Sequence, residues 1–228
     1  MEKSLKNKVV LITGSSIGIG AETAYLFAKE RCKVIITYYK DKEEADKVRL
    51  KCKGLGASEV LVLPLNIMDD KSISNCVEET VKKFTFIDIL LNNAGIVVWK
   101  HFKDQSKKEI EEQLRVNLEG LIKMTKESLP YIKDAIVNIS SGAGLEGYET
   151  LTTYCATKFG VRGFTQALAL ELPNIKLYSI NPGTTATRMN DFKGLPPIEV
   201  AKIILNAVMG KYKVPSGGGI NVWEVLGE

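Results

Sequence analysis

Lys8 to Gly20, reading KVVLITGSSIGIG, constrains the fold of this chain more than any other stretch. Val9, Val10, Leu11 and Ile12 form a short apolar run rich in β-branched residues, the pattern of a strand buried on both faces of a parallel sheet. Gly14, Gly18 and Gly20 follow, where the backbone can turn sharply with no side chain in the way of a bound group. From Ala21 to Arg31 the apolar residues Ala21, Ala24, Tyr25 and Ala28 recur at helical spacing. The turn therefore opens a helix whose first N–H groups are free to hold a phosphate. Strand, glycine turn and helix in this order point to a nucleotide site, while a plain tight turn between apolar runs is the competing explanation.

The rest of the chain repeats the alternation. Lys33 to Tyr39 reads as a second strand and Asp41 to Lys53 as a charged helix ending before Gly54 and Gly56. Glu59 to Leu65 is a third strand leading into Asn66. Asp70 to Phe84 is a helix with one apolar face (Ile73, Val77, Val81). Phe86 to Leu91 is a fourth strand ending in Asn92-Asn93-Ala94-Gly95, and Lys107 to Leu129 a long helix stopped by Pro130. A fifth strand, Ala135 to Ile139, runs into Ser140-Ser141-Gly142, and a helix extends from near Thr153 to Glu171. A sixth strand, Lys176 to Ile180, meets Asn181-Pro182-Gly183, Pro197 to Met209 is the last helix, and Ile220 to Leu226 a seventh strand. Strands and helices in strict alternation predict one α/β domain over 1–228, a doubly wound parallel sheet of about seven strands with helices on both faces. Such sheets bind ligands beyond the carboxyl ends of their strands. The glycine turn, Asn66, NNAG, SSG and NPG all fall at that edge.

Composition narrows the function classes. Thirty-one Lys and Arg against 27 Asp and Glu give a net charge of +4, and the lysines are scattered along helical faces, which argues against nucleic acid. Four cysteines without CxxC spacing and a single histidine leave a metal site almost without ligands, and fit reduced thiols in a cytoplasmic protein. No apolar run approaches the ~20 residues that span a bilayer, and MEKSLKNK lacks the apolar core of a signal peptide.

Tyr154 and Lys158 stand four apart at the start of a helix, on one face. A lysine ammonium beside a phenol favours the phenolate and lowers its pKa from about 10 toward working pH, making a usable acid or base. Ser141 lies thirteen residues earlier at a strand end. A loop of that length can return the chain so that both hydroxyls meet one carbonyl oxygen.

With these residues together, the chain resembles the short-chain dehydrogenase/reductase family of compact single-domain type, from Lys8 to about Ala207. The TGxxxGxG turn is Thr13 to Gly20, NNAG is Asn92 to Gly95, Asn-Leu-x-Gly is Asn117 to Gly120, YxxxK is Tyr154 to Lys158, and the PG motif is Pro182-Gly183. The resemblance implies an oxidoreductase in which Tyr154 protonates the developing alkoxide and Ser141 hydrogen-bonds the carbonyl oxygen. Lys158 would tune the tyrosine and hold the nicotinamide ribose, and Asn117 would bind a water linking Lys158 to solvent. It further implies that Gly14, Ser16, Ile17, Gly18, Ile19 and Gly20 cradle the pyrophosphate. Asn66 and Ile67 would flank the adenine, Asn93, Ala94 and Gly95 line the dinucleotide, and Pro182, Gly183, Thr185 and Thr187 lie near the nicotinamide.

Cofactor choice falls to the end of the second strand, where a carboxylate would favour NAD(H) by accepting from the ribose and repelling a 2′-phosphate. Tyr38, Tyr39 and Lys40 stand there instead, so NADP(H) is preferred over NAD(H), although Ile17 supplies no charge within the turn. The resemblance implies a carbonyl/alcohol substrate of 3-oxoacyl, sugar or small-ketone type, and the short lid, Thr184 to Pro196, suggests either an open site for a bulky substrate or a small substrate held mostly by Trp99, Tyr148 and Met189. Two other readings use the same motifs, an NAD-dependent epimerase or dehydratase and a non-catalytic dinucleotide sensor. The apolar outer helix Phe164 to Leu172 and the long helix before Pro130 predict a homodimer or homotetramer.

Overall fold

The computed structural model describes residues 4–227; the first three residues of the MEKSLKNK segment and the last of the 1–228 domain lie outside it. The run opening the chain is β1 (Val9–Ile12), every residue of it buried. Its alternate side chains divide between two cores, Val10 and Ile12 into one and Val9 and Leu11 into the other. That division is why the segment reads as continuously apolar. α1 (Gly18–Lys29) follows the glycine turn, then β2 (Lys33–Tyr38), α2 (Lys42–Gly54), β3 (Glu59–Pro64), α3 (Asp70–Phe84) and β4 (Ile87–Asn92). α4 (Lys107–Leu114), a five-residue π-turn (Arg115–Glu119) and α5 (Gly120–Ser128) lead to β5 (Ile132–Ile139). α6 (Thr152–Glu171), β6 (Lys176–Asn181), α7 (Pro197–Val208), β7 (Gly219–Asn221) and α8 (Val222–Leu226) complete it.

All seven strands are parallel, in the order β3-β2-β1-β4-β5-β6-β7. The order reverses at β1, and a ligand crevice opens at that switch point. Residues of α1, α2 and α7 fill one face (Phe27, Val48, Ile204), and residues of α3 and α5 the other (Ile73, Val77, Met124). At the end of the sheet opposite the crevice, Asp88 accepts from the Val9 N–H and from Lys8 Nζ, both at 2.8 Å, and Lys8 reaches Asp134 at 2.8 Å. This ties β1, β4 and β5 together. Among the described residues no helix is long and apolar enough to cross a membrane.

Two elements depart from the expectations above. The seventh strand is only three residues long, pairing Gly219–Asn221 with Ser179–Asn181, and Val222–Leu226 is helical. Asn221 turns the chain there: its Oδ1 accepts from Asn181 Nδ2 at 2.8 Å and its Nδ2 donates to Glu224 Oε1 at 2.9 Å. Asn221 and Glu224 have the spacing of a helix start, a signal hidden by the β-branched INVWEV run. The long fourth helix is also interrupted, at the π-turn that carries Asn117. Such single-turn bulges occur frequently at functional sites.

Candidate active site

The β1–α1 turn is built for close approach. Gly14 and Gly18 have φ of +63° and +59°, a region L side chains rarely adopt. A Cβ on Gly14 would lie 3.0 Å from Ala94 Cα. The Thr13 hydroxyl accepts from the N–H groups of Asn93 and Ala94 at 2.9 and 3.0 Å, while Asn93 Nδ2 donates to the carbonyls of Thr13 and Gly14 at 3.0 and 2.9 Å. The NNAG segment is thereby clamped to the glycine turn. On the other side, Ser15 Oγ donates to Ile12 O at 2.9 Å and accepts from Thr37 N at 2.9 Å, and the Gly14 N–H donates to Thr37 Oγ1 at 3.0 Å. Ser15 and Thr37 are thus supports that motif spacing did not single out.

The start of α1 has no side-chain cap and no acidic residue in its first turn, so its leading N–H groups face the crevice without a protein acceptor from a capping side chain. With the two positive-φ glycines, this donor set fits a pyrophosphate.

One cleft of about 1400 Å³ runs along the carboxyl edge of the sheet. It brings together residues following five strands: Gly14, Asn66, Asn93, Ser141 and Pro182 all line it, as do Ser16, Ile17, Gly18 and Ile19 of the turn. Tyr38, Tyr39 and Lys40 line it beyond β2, Ile67 beyond β3, Ala94 and Gly95 beyond β4, and Gly183, Thr185 and Thr187 beyond β6. Two predicted residues lie behind this surface rather than on it. Gly20 is buried against the turn, and Asn117 is 1% exposed beneath Gly95. Asn117 Oδ1 accepts from Ile96 N at 2.8 Å, and its Nδ2 donates to Ile96 O and Thr157 Oγ1 at 2.9 and 3.2 Å. Both Nδ2 hydrogens are taken, so what Asn117 can still offer a relay is a lone pair on Oδ1. Asn66 Oδ1 accepts from Met68 N at 3.2 Å, and only its second lone pair remains for an adenine amine.

The Ser141, Tyr154 and Lys158 side chains all line the cleft, and the Ser141 and Tyr154 hydroxyls are hydrogen-bonded to one another. Ser141 lies two residues beyond β5, where its Oγ accepts from the Ala143 N–H at 3.2 Å and the Gly142 N–H donates to Pro182 O at 2.8 Å. Gly142 also faces the new terminal helix: a Cβ there would lie 3.6 Å from Trp223 and from Tyr148. Lys158 is buried, its ammonium donating to Ile139 O at 2.9 Å and lying 5.4 Å from the Tyr154 ring centroid. Burial pulls the Lys158 ammonium down to about 8. The Tyr154 phenol moves opposite to expectation: burial pushes it up to about 12, opposed by its hydrogen bond with Ser141. In the free protein Lys158 is turned toward the β5 carbonyl, and desolvation outweighs any help it gives the phenolate.

The lid is fastened at both ends of the cleft. Trp99 Nε1 donates to Met189 O at 2.9 Å, and Arg188 Nη1 donates to Asp41 Oδ2 at 3.1 Å. Asp41 brings a carboxylate to the cofactor-choosing edge one residue beyond the stretch read for it, and neither it nor Arg188 was flagged by motif spacing.

The family model for short chain dehydrogenases matches residues 8–195. The chain belongs to that family. Its members are NAD(P)-dependent oxidoreductases, and all five motifs, from the glycine turn to Pro182-Gly183, fall within the matched span. Among curated relatives, the 3-oxoacyl-(acyl-carrier-protein) reductase FabG of Thermotoga maritima is 36% identical over 82% of this chain and 78% of its own. The trans-4-hydroxycyclohexanecarboxylate dehydrogenase of Sinomonas cyclohexanicum is 34% identical over 80% of this chain and 74% of its own. A solved short chain dehydrogenase from Burkholderia cenocepacia J2315, in complex with NADP, superposes with a TM-score of 0.89 at 27% identity, covering 96% of this chain and 97% of that one. This short-chain dehydrogenase therefore has the doubly wound sheet that its strand–helix alternation predicts.

Proposed function

We propose that this short-chain dehydrogenase reduces a carbonyl to an alcohol with NADPH, in one domain spanning 1–228, and that the reverse oxidation uses the same residues. The observation that carries the reading is the meeting of the Ser141 hydroxyl, the Tyr154 phenol and the buried Lys158 ammonium beside the glycine turn. The bound dinucleotide supplies hydride to the carbonyl carbon. Tyr154, protonated at neutral pH because burial holds it near 12, donates its proton to the alkoxide oxygen. Ser141 holds that oxygen with a preorganised hydrogen bond where charge develops. Lys158 holds the ribose hydroxyls with the N–H groups that Ile139 O leaves over, and its charge stabilises the phenolate as it forms. The proton lost by Tyr154 would be replaced from solvent through Lys158, with Asn117 Oδ1 accepting from a water that links Lys158 to solvent.

The NADP(H) preference rests on Tyr38, Tyr39 and Lys40, and the NADP-bound structural neighbour supports it by similarity. A 3-oxoacyl thioester, a sugar or a small ketone is the substrate class, seated between Trp99, Tyr148 and Met189. Consumption of NADPH absorbance against a panel of these carbonyls should show one class turning over well above the rest. Silence of the whole panel with both NADPH and NADH would overturn the reading.

The same proposal places the enzyme in the cytoplasm, where its four buried free cysteines stay reduced. It also pairs the exposed apolar residues Leu114, Ile122 and Leu170 of α4, α5 and α6 across a two-fold axis. Light scattering should return a dimer or tetramer mass at micromolar concentration; a monomer there would remove this assembly.

A further inference from the structure

Building on the NADP(H) reading above, we propose that Arg188 on the lid recognises the 2′-phosphate of the adenosine ribose, and that Asp41 holds its guanidinium until that phosphate arrives. The lid crosses the start of α1 at this point, since a Cβ on Gly18 would lie 3.3 Å from the Thr187 methyl. Its neighbouring residues point elsewhere: Thr187 lies over the turn, and the Met189 carbonyl is held by Trp99 on the substrate side. Arg188 instead reaches the start of α2, where its Nη1 lies 3.1 Å from Asp41 Oδ2 across 147 residues of sequence. It therefore arrives at the edge where the cofactor's second phosphate would be read.

Among the cations lining the cleft, Arg188 is the guanidinium and the others are lysines. Ile17 brings none. Lys47 is paired with Glu44 at 2.8 Å, and Lys40 lies over the Tyr39 ring at 5.0 Å. Asp41 precedes α2, yet its carboxylate accepts no capping hydrogen bond from the helix and pairs with Arg188 instead. Both side chains of the pair are about half exposed, at 53% and 44%, and such solvent-screened surface pairs hold weakly. A phosphate dianion presents a guanidinium with the bidentate acceptor geometry that favours arginine over lysine. Exchange from carboxylate to phosphate is then downhill, and Asp41, exposed, returns to water. A 2′-hydroxyl offers Arg188 no such replacement, so with NAD(H) the Asp41 pair persists. Since Arg188 is part of the lid, recognition at the adenosine end also holds the segment that covers the substrate.

Calorimetric titration with adenosine 2′,5′-bisphosphate and with 5′-AMP separates the phosphate from the rest of the cofactor without turnover. The wild type should bind the bisphosphate more tightly. Arg188→Gln should weaken the bisphosphate by about tenfold or more, the scale of one charge-assisted phosphate contact, while shifting 5′-AMP by less than about twofold, which also reports an intact fold. Arg188→Lys should restore part of the loss. Asp41→Asn should tighten the bisphosphate by removing the competing carboxylate, and weakening there would overturn the exchange. A wild type that binds the two ligands equally overturns the NADP(H) reading, and Arg188's role with it. A wild type that discriminates, together with an Arg188→Gln that discriminates equally, overturns the role of Arg188 alone.

Discussion

Replacing Tyr154 with phenylalanine should reduce carbonyl reduction by about a thousandfold, within the range a positioned proton donor contributes, while NADPH affinity falls far less. The substitution removes one oxygen and keeps the ring, which packs with Ala143, Leu151, Cys155 and Val97. Loss of activity therefore reports the lost proton and not a collapsed site. Ser141 is the other hydroxyl at this point, but an aliphatic alcohol is a far weaker acid than a phenol, and its part is to hydrogen-bond the carbonyl oxygen. Pre-steady-state mixing of enzyme, NADPH and the substrate found by the panel is the decisive measurement. Residual turnover within tenfold of wild type would remove Tyr154 from the proton-transfer step. The pH dependence carries a second signature. Burial holds Lys158 near 8 in the free protein, so its charge is present below that pH and is lost as pH rises through it. The phenol, near 12, stays protonated throughout this window. Reduction efficiency should accordingly decline above about pH 8 although the proton donor is intact, because a neutral Lys158 no longer stabilises the phenolate being formed.

The strand–helix alternation was legible because each signal is local. β1 divides its four side chains between two cores, and that burial on both faces leaves a continuous apolar run in the sequence. The five crevice segments were legible for a related reason: a parallel sheet sends every strand's carboxyl end to one edge, so order along the chain gives position in space. What escaped was decided by contacts between distant residues. The last strand ends early because Asn221 is divided between Asn181, forty residues away, and Glu224. The π-turn follows from Gly120, where a Cβ would lie 2.5 Å from Ile67 O, and from Asn117 bonding to Ile96. Neither contact leaves a periodicity. The direction of the Tyr154 shift escaped because four-residue spacing places Lys158 on the right face but does not say that its ammonium turns to Ile139 O. Arg188 and Asp41 escaped as well, since ionic partners 147 residues apart leave no trace in either neighbourhood.

Gly20→Ala should cost more cofactor affinity than any other single methyl added to the turn, although Gly20 is a helical residue that does not touch the cleft. Gly14 and Gly18 need glycine for their positive φ; Gly20 needs it for space alone. Its Cβ would lie 2.5 Å from Gly14 O, 2.7 Å from Asn93 Nδ2 and 2.8 Å from Ser15 Cα. Two of these neighbours are backbone, so no side-chain rotation relieves the clash, and α1 must move away from β1. That displacement draws the leading N–H groups of the helix off the phosphate position and strains the Asn93 bond to Gly14 O. Overpacking of this kind destabilises by roughly 1–3 kcal/mol. The loss in binding should be larger, about a hundredfold in NADPH affinity, because several charge-assisted donors to one pyrophosphate misalign together. Gly54→Ala is the matched control. It lies at the end of α2 with nothing within 4 Å of the added carbon, so it should leave NADPH affinity in place and raise stability by a few tenths of a kcal/mol, since alanine loses less backbone entropy than glycine. Fluorescence titration and thermal melts of both variants test the argument together. A Gly20→Ala protein that melts and binds like wild type would mean that α1 can move without disturbing the phosphate site, and the first turn of the helix would then not be what holds the cofactor.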